Sequence, residues 1–105
     1  MKVQMKNVYR IYTEDKNRRK ILATVGKIFD NFTLQPTAGY YKGRPEKSIV
    51  IEVADVSKTK IKLIAGKLLE VNRQASVLII GLSATVERTK SNEGDEASAR
   101  RRRRA

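Results

Sequence analysis

Neither cysteine nor histidine occurs in this chain. Without cysteine there is no disulfide framework and no thiolate metal site, so the redox compartment stays open. Without histidine the usual general base near neutral pH and the commonest metal ligand are missing too. An enzyme made from this sequence would have to work with tyrosine, lysine, arginine, serine and carboxylates. Long apolar runs are also absent: no stretch approaches the roughly 18 residues that a membrane span needs. The start, Met1-Lys2-Val3-Gln4-Met5-Lys6, lacks the apolar stretch of a secretion signal. These absences lead us to expect a cytoplasmic protein with no membrane partner, no metal and no cofactor, and a binding module rather than an enzyme.

What the chain has in excess is positive charge. Over 105 residues the formal net charge is +12. Residues 88–105 hold seven basic and three acidic side chains, which leaves +8 on the first 87. That length suits one modest core, because small chains bury a smaller share of their surface. We expect a domain over residues 1–87 and a flexible polar linker with an arginine-rich tail over 88–105.

Hydrophobic spacing gives the elements. Val8-Tyr9-Arg10-Ile11-Tyr12 reads as a first strand, with Tyr9 and Tyr12 on opposite faces and Asp15 or Thr13 placed to cap a helix after it. From Lys16 to Phe29, apolar residues at 21, 22, 25, 28 and 29 mark one face of that helix. Phe32-Thr33-Leu34 is a short strand stopped by Pro36, and residues 38–45 carry the glycine and proline punctuation of a loop or extended hairpin tip. Ser48 to Val53 gives a third strand. Asp55 or Ser57 caps a second helix running to about Asn72. Ser76 to Leu82 is a fourth strand, apolar on both faces, so something must cover each side. The order strand, helix, strand, strand, helix, strand, joined by right-handed crossovers, predicts an α+β protein: a ferredoxin-like βαββαβ two-layer sandwich with two helices on one face of a four-stranded antiparallel sheet. The second apolar side of the last strand would meet a partner subunit, which leads us to expect a homodimer or higher homo-oligomer, or else the N-terminal arm or a returning part of the same strand.

Phe29, Phe32-Thr33-Leu34, Gly39-Tyr40-Tyr41-Lys42-Gly43, Glu46-Lys47-Ser48, Ile49 to Val53 and Asn72 to Leu78 form a pattern that resembles small uncharacterised proteins of bacteria and their phages. The resemblance spans roughly residues 8 to 80. It implies the ferredoxin-like fold and a phage or mobile-element setting, and carries no activity.

Three groups of residues could bind. Arg100, Arg101, Arg102, Arg103 and Arg104 form a run whose guanidinium groups grip phosphate without reading sequence; a solubilising tail or localisation signal is the competing account. Lys16, Arg18, Arg19, Lys20 and Lys27 make a basic face on the first helix. Cations near a helix N-terminus oppose the macrodipole, which a bound phosphate would reverse, although a solvated face is the plainer account. Lys58, Lys60, Lys62 and Lys67 on the second helix look more dispersed. Tyr40, Tyr41, Lys42 and Arg44 interleave aromatics with cations, as stacking on bases requires, or else one tyrosine packs on the core at a hairpin. Together these predict a nucleic-acid-binding module, with DNA or RNA as partner. The alternative is an interaction or inhibitor protein whose body binds a host protein or an anionic, nucleotide-like ligand. A metal-free ribonuclease is a distant third, because Glu14, Asp15 and Glu46 read more simply as caps and surface charges.

Overall fold

The computed structural model describes residues 4–87 and 89; the arginine run Arg100–Arg104 and most of the expected tail lie outside them. The elements are β1 (Gln4–Glu14), α1 (Arg18–Ile28), β2 (Thr33–Tyr41), β3 (Arg44–Ala54), α2 (Lys58–Asn72) and β4 (Leu78–Val86). All strand pairs are antiparallel and the sheet order is β2-β3-β1-β4. This is the ferredoxin-like βαββαβ sandwich that the spacing predicts.

One pleat of the sheet faces the helices. Ile11 stands opposite Ile51 and Tyr9 opposite Val53, and alternation carries Ile49, Ile51 and Val53 to the same side. They meet Ile21, Val25 and Phe29 from α1 and its end, and Ile61, Ile64 and Leu68 from α2. Nearly all these side chains are buried, each contributing about 1.5–3 kcal/mol of transfer free energy. The opposite pleat, with Arg10, Tyr12, Val50 and Glu52, has no helix over it.

The hairpin is longer than its sequence suggests. β2 runs through Pro36, which pairs with Ile49, and reaches Tyr41 opposite Arg44. Proline is tolerated because β2 is an edge strand, where a missing N–H can point to solvent. Lys42 and Gly43 complete a two-residue turn with φ of 50° and 78°, the left-handed pair that matches strand twist and suits glycine at the second place. Of the two readings of residues 38–45, a loop or an extended hairpin tip, the structure shows the second.

A polar knot fastens the end of α2 to the end of β1. The buried Asn72 donates its Nδ2 to Thr13 Oγ1 at 3.0 Å, to the Glu14 carbonyl at 2.8 Å and to Gln74 Oε1 at 2.8 Å. Thr13 donates its hydroxyl to the same Gln74 oxygen at 2.7 Å. Arg73 between them ends the helix in the left-handed region, φ 50°. Ser57 caps α2 by accepting from the Lys60 N–H at 3.2 Å. At α1, neither Asp15 nor Thr13 is the cap. Asn17 holds that position without a side-chain cap bond, because its amide donates to the Val71 carbonyl at 3.0 Å.

A candidate ligand cleft beside the edge strand

β4 is the other edge of the sheet, and α2 covers its helix-facing pleat only in part. The gap is a cleft of about 540 Å³ between α2 and β4. Its floor is apolar, made by Tyr9, Ile61, Ile79 and Gly81, and its rim carries Asn7, Ser83, Lys58 and Lys62. Gly81 pairs directly with Tyr9, and a Cβ there would stand 3.0 Å from the tyrosine Cε1. Glycine at this place lets the ring lie down against the neighbouring strand.

The cationic rim follows from helix geometry. Lys58 and Lys62 are four residues apart and so occupy one flank of α2. They sit in the first two turns of a helix with no acidic residue in its first turn, where the macrodipole favours an anion. Among the described residues no carboxylate lines this cleft.

Two other hollows differ on that point. One of about 680 Å³ lies where α1 and β3 end and α2 begins; its two lysines, Lys6 and Lys60, share the wall with Asp30, Glu52 and Asp55. Lys6 Nζ is already 3.2 Å from Asp55 Oδ2. A smaller one, about 360 Å³, sits on the open pleat around Arg10, Tyr12, Gln35 and Glu52. There Arg10 Nε donates to Glu52 Oε2 at 2.7 Å, and this hydrogen bond, with the attraction between the two charges, raises the guanidinium pKa above its ordinary value. Both hollows hold cations that are matched by neighbouring carboxylates.

The residues singled out from the sequence fall in other places. Lys16 Nζ is 2.8 Å from Glu14 Oε2. Arg18 forms a two-pronged pair with Asp15, whose hydrogen bonds and charge raise the arginine pKa. Arg19, Lys20 and Lys27 are exposed along α1. Tyr40 and Tyr41 are 75% and 61% exposed, so neither packs on the core, and Lys42 Nζ lies 5.4 Å from the centre of the Tyr41 ring. The strand register puts the α1 N-terminus and the hairpin at the same end of the sheet, since Asp15 N–H donates to the Lys47 carbonyl at 3.1 Å. The cleft lies at the other edge, nearer the opposite end. Its lysines look dispersed along the sequence; the four-residue interval between Lys58 and Lys62 is the signal that joins them.

No protein-family model matches the sequence, and no curated protein is significantly similar to it. Solved structures do share its fold. A nitrogen regulatory PII-like protein from Thiomonas intermedia, bound to ADP, AMP and bicarbonate, matches 85% of this chain and all of its own with TM-score 0.61 at 13% identity. The GlnK–ATP complex of Bacillus subtilis matches 76% of this chain and 82% of its own with TM-score 0.57 at 18% identity. A DUF3240 family protein from Shewanella baltica matches 84% and 99% with TM-score 0.63 at 11% identity.

The likeness to small bacterial proteins of ferredoxin-like fold therefore holds, while the phage setting gains no support. The expected nucleic-acid-binding function is overturned. Similar structures include a nitrogen regulatory PII-like protein bound to ADP and AMP and a GlnK–ATP complex. Within this chain, two of the cations assigned to phosphate contact, Lys16 and Arg18, are paired with their own neighbours. Among the described residues no helix is long and apolar enough to cross a membrane.

Proposed function

We propose that this chain is a non-enzymatic binding protein for an anionic, nucleotide-like small molecule held in the cleft between α2 and β4. The observation that carries the reading is a wall that joins two lysines to an aromatic and aliphatic floor with no carboxylate. In such a site a planar base would lie against Tyr9, Ile79 and Gly81. Phosphates would meet Lys58, Lys62 and the first N–H groups of α2, where side-chain charge and helix dipole act together. Asn7 and Ser83 supply the few polar contacts that fix orientation, and the volume is within the usual range for small-ligand sites. The adenine nucleotides named with two of the similar structures support this class of ligand.

The second pleat of β4 supports a homo-oligomer. Leu78, Ile80 and Leu82 lie on the helix-free side, opposite Tyr12, Arg10 and Val8 in register, and Leu78 is 57% exposed. Val50 extends this apolar surface toward β3. A second copy of the chain is the cover we assign to it.

Calorimetric titration with ATP, ADP and AMP tests the ligand reading. Binding is expected to strengthen with phosphate number and to weaken about tenfold or more when Lys58 and Lys62 are both replaced by alanine, since each charged contact is worth about 1 kcal/mol or more. Absence of heat with all three nucleotides, or unchanged affinity in the double variant, would refute it.

A further inference from the structure

The net positive charge of the described body falls on one layer. α1 and α2 together hold eight lysines and arginines and one acid, Glu70, whereas residues 4–87 outside the helices hold seven basic and seven acidic side chains. The sheet and its loops are neutral in sum, so the whole excess sits on the helices. Lys27 and Lys67 wall a groove of about 280 Å³ between the two helices, with Ile28, Leu63 and Thr24 also lining it. Leu63 is 51% exposed and stands between the two lysines as an apolar wall of the groove. Two mid-helix glycines add an independent observation. Gly26 and Gly66 are exposed, and a Cβ at either would meet nothing within 4 Å. Packing within the chain therefore does not require glycine at either place, and both weaken their helices relative to alanine. Glycines of this kind bare the backbone on the outer surface, where a second molecule can approach closely.

We infer that the helix layer is a docking surface for an acidic segment of another protein, one that places an apolar side chain on Leu63 and Ile28 between Lys27 and Lys67. The arrangement has the anatomy of a protein interface, with an apolar centre inside a charged rim. Phosphate backbones have no apolar side chain to offer Leu63, and a bilayer surface is too flat to enter a groove. Charge of one sign on this scale also speeds encounter with an acidic partner. The surface is separate from the cleft, which lies on the other flank of α2, so a ligand and a partner could be held at once.

The test uses fluorescence anisotropy with a labelled peptide of glutamate and leucine, the leucines four apart. A peptide of the same length made of glutamate and serine serves as control. The full-length protein is expected to bind the first more tightly than the second, with an affinity that falls as salt is added. Leu63→Ser should weaken binding about fivefold, and Lys27→Glu with Lys67→Glu about tenfold or more, amounts normal for a central apolar anchor and its charged rim. Thermal melts and the ATP titration confirm that these variants remain folded. Equal binding of both peptides overturns the inference, because charge alone would then suffice. It is likewise overturned if the Leu63→Ser variant binds as the parent does, or if a DNA duplex or a phosphatidylserine vesicle binds more tightly than the glutamate-leucine peptide with the same dependence on Leu63.

Discussion

The ring of Tyr9 lies across Gly81 on the neighbouring strand, close enough that a single methyl group at Gly81 would come within 3.0 Å of Cε1 and 3.3 Å of Cδ1. The contact couples a residue with no side chain to the floor of the cleft. Gly81→Ala should push the ring toward α2, costing about 1 kcal/mol of stability by overpacking. Because the ring can move, the larger effect is expected on the ligand. ATP affinity should fall several-fold while the protein stays folded, as read by calorimetry beside urea denaturation.

Asn72 is the centre of the knot that joins α2 to β1. Replacing it with alanine removes the amide that Thr13 Oγ1, Gln74 Oε1 and the Glu14 carbonyl share; Thr13 and Gln74 keep their own 2.7 Å bond, and the Glu14 carbonyl loses its side-chain donor. Asn72→Ala should cost about 1–3 kcal/mol, the range for leaving a buried polar group without its partner, measured as a shift in the urea midpoint at constant slope.

Among the described residues, three other than glycine have positive φ, and Arg73 is the one that ends a helix. Arg73→Gly should raise stability by about 0.5–1 kcal/mol by relieving the left-handed strain. Gly66→Ala should do the same by a different route, improving helix propensity where an added Cβ touches nothing. A thermal melt of each variant checks the sign. If the helix layer docks a partner, the second gain comes with weaker peptide binding.

The open pleat of the sheet gives a prediction of assembly. Leu78→Glu should convert an oligomer to monomer, because Leu78 stands opposite Tyr12 and a carboxylate there has no cross-strand cation to neutralise it when a second copy buries it. Sedimentation velocity before and after the change reads the result directly. A parent protein that is monomeric at every concentration counts against the assembly.

Removal of residues 88–105 should leave ATP binding unchanged, since every cleft residue lies between Asn7 and Ser83. A large loss on truncation would move the anion site away from the cleft and back toward the arginine run.

Periodicity makes the architecture legible. Ile21, Val25 and Ile28 identify α1, Ile61, Ile64 and Leu68 identify α2, and the alternation of Ile49, Ile51 and Val53 identifies β3. The boundaries are misread where context overrides local preference. Pro36 reads as a stop but stands in an edge strand whose missing N–H costs no ladder bond, so β2 and β3 extend to a turn at Lys42 and Gly43. β1 starts at Gln4 rather than Val8 because Met5 and Lys6 pair with Thr85 and Ala84, contacts about 80 residues away that no window reveals. The candidate site is harder for the same reason. Tyr40, Arg19 and the arginine run attract notice because like residues are adjacent in sequence, whereas Tyr9, Lys58, Lys62 and Gly81 come from three separate elements and meet only in the folded sheet. Asn17 shows the limit at smaller scale: it has the composition of a cap and gives its amide to Val71 instead.

Within residues 4–87 the excess charge lies on the two helices, which gives this part of the molecule an electric moment directed from a neutral sheet toward a cationic layer. In the field of any anionic body such a particle turns before it touches, so its approach is selected by orientation as well as rate. The helices would arrive first and the open pleat would trail. Self-association through that pleat would leave the charged layers of an assembly pointing outward, each available to its own partner.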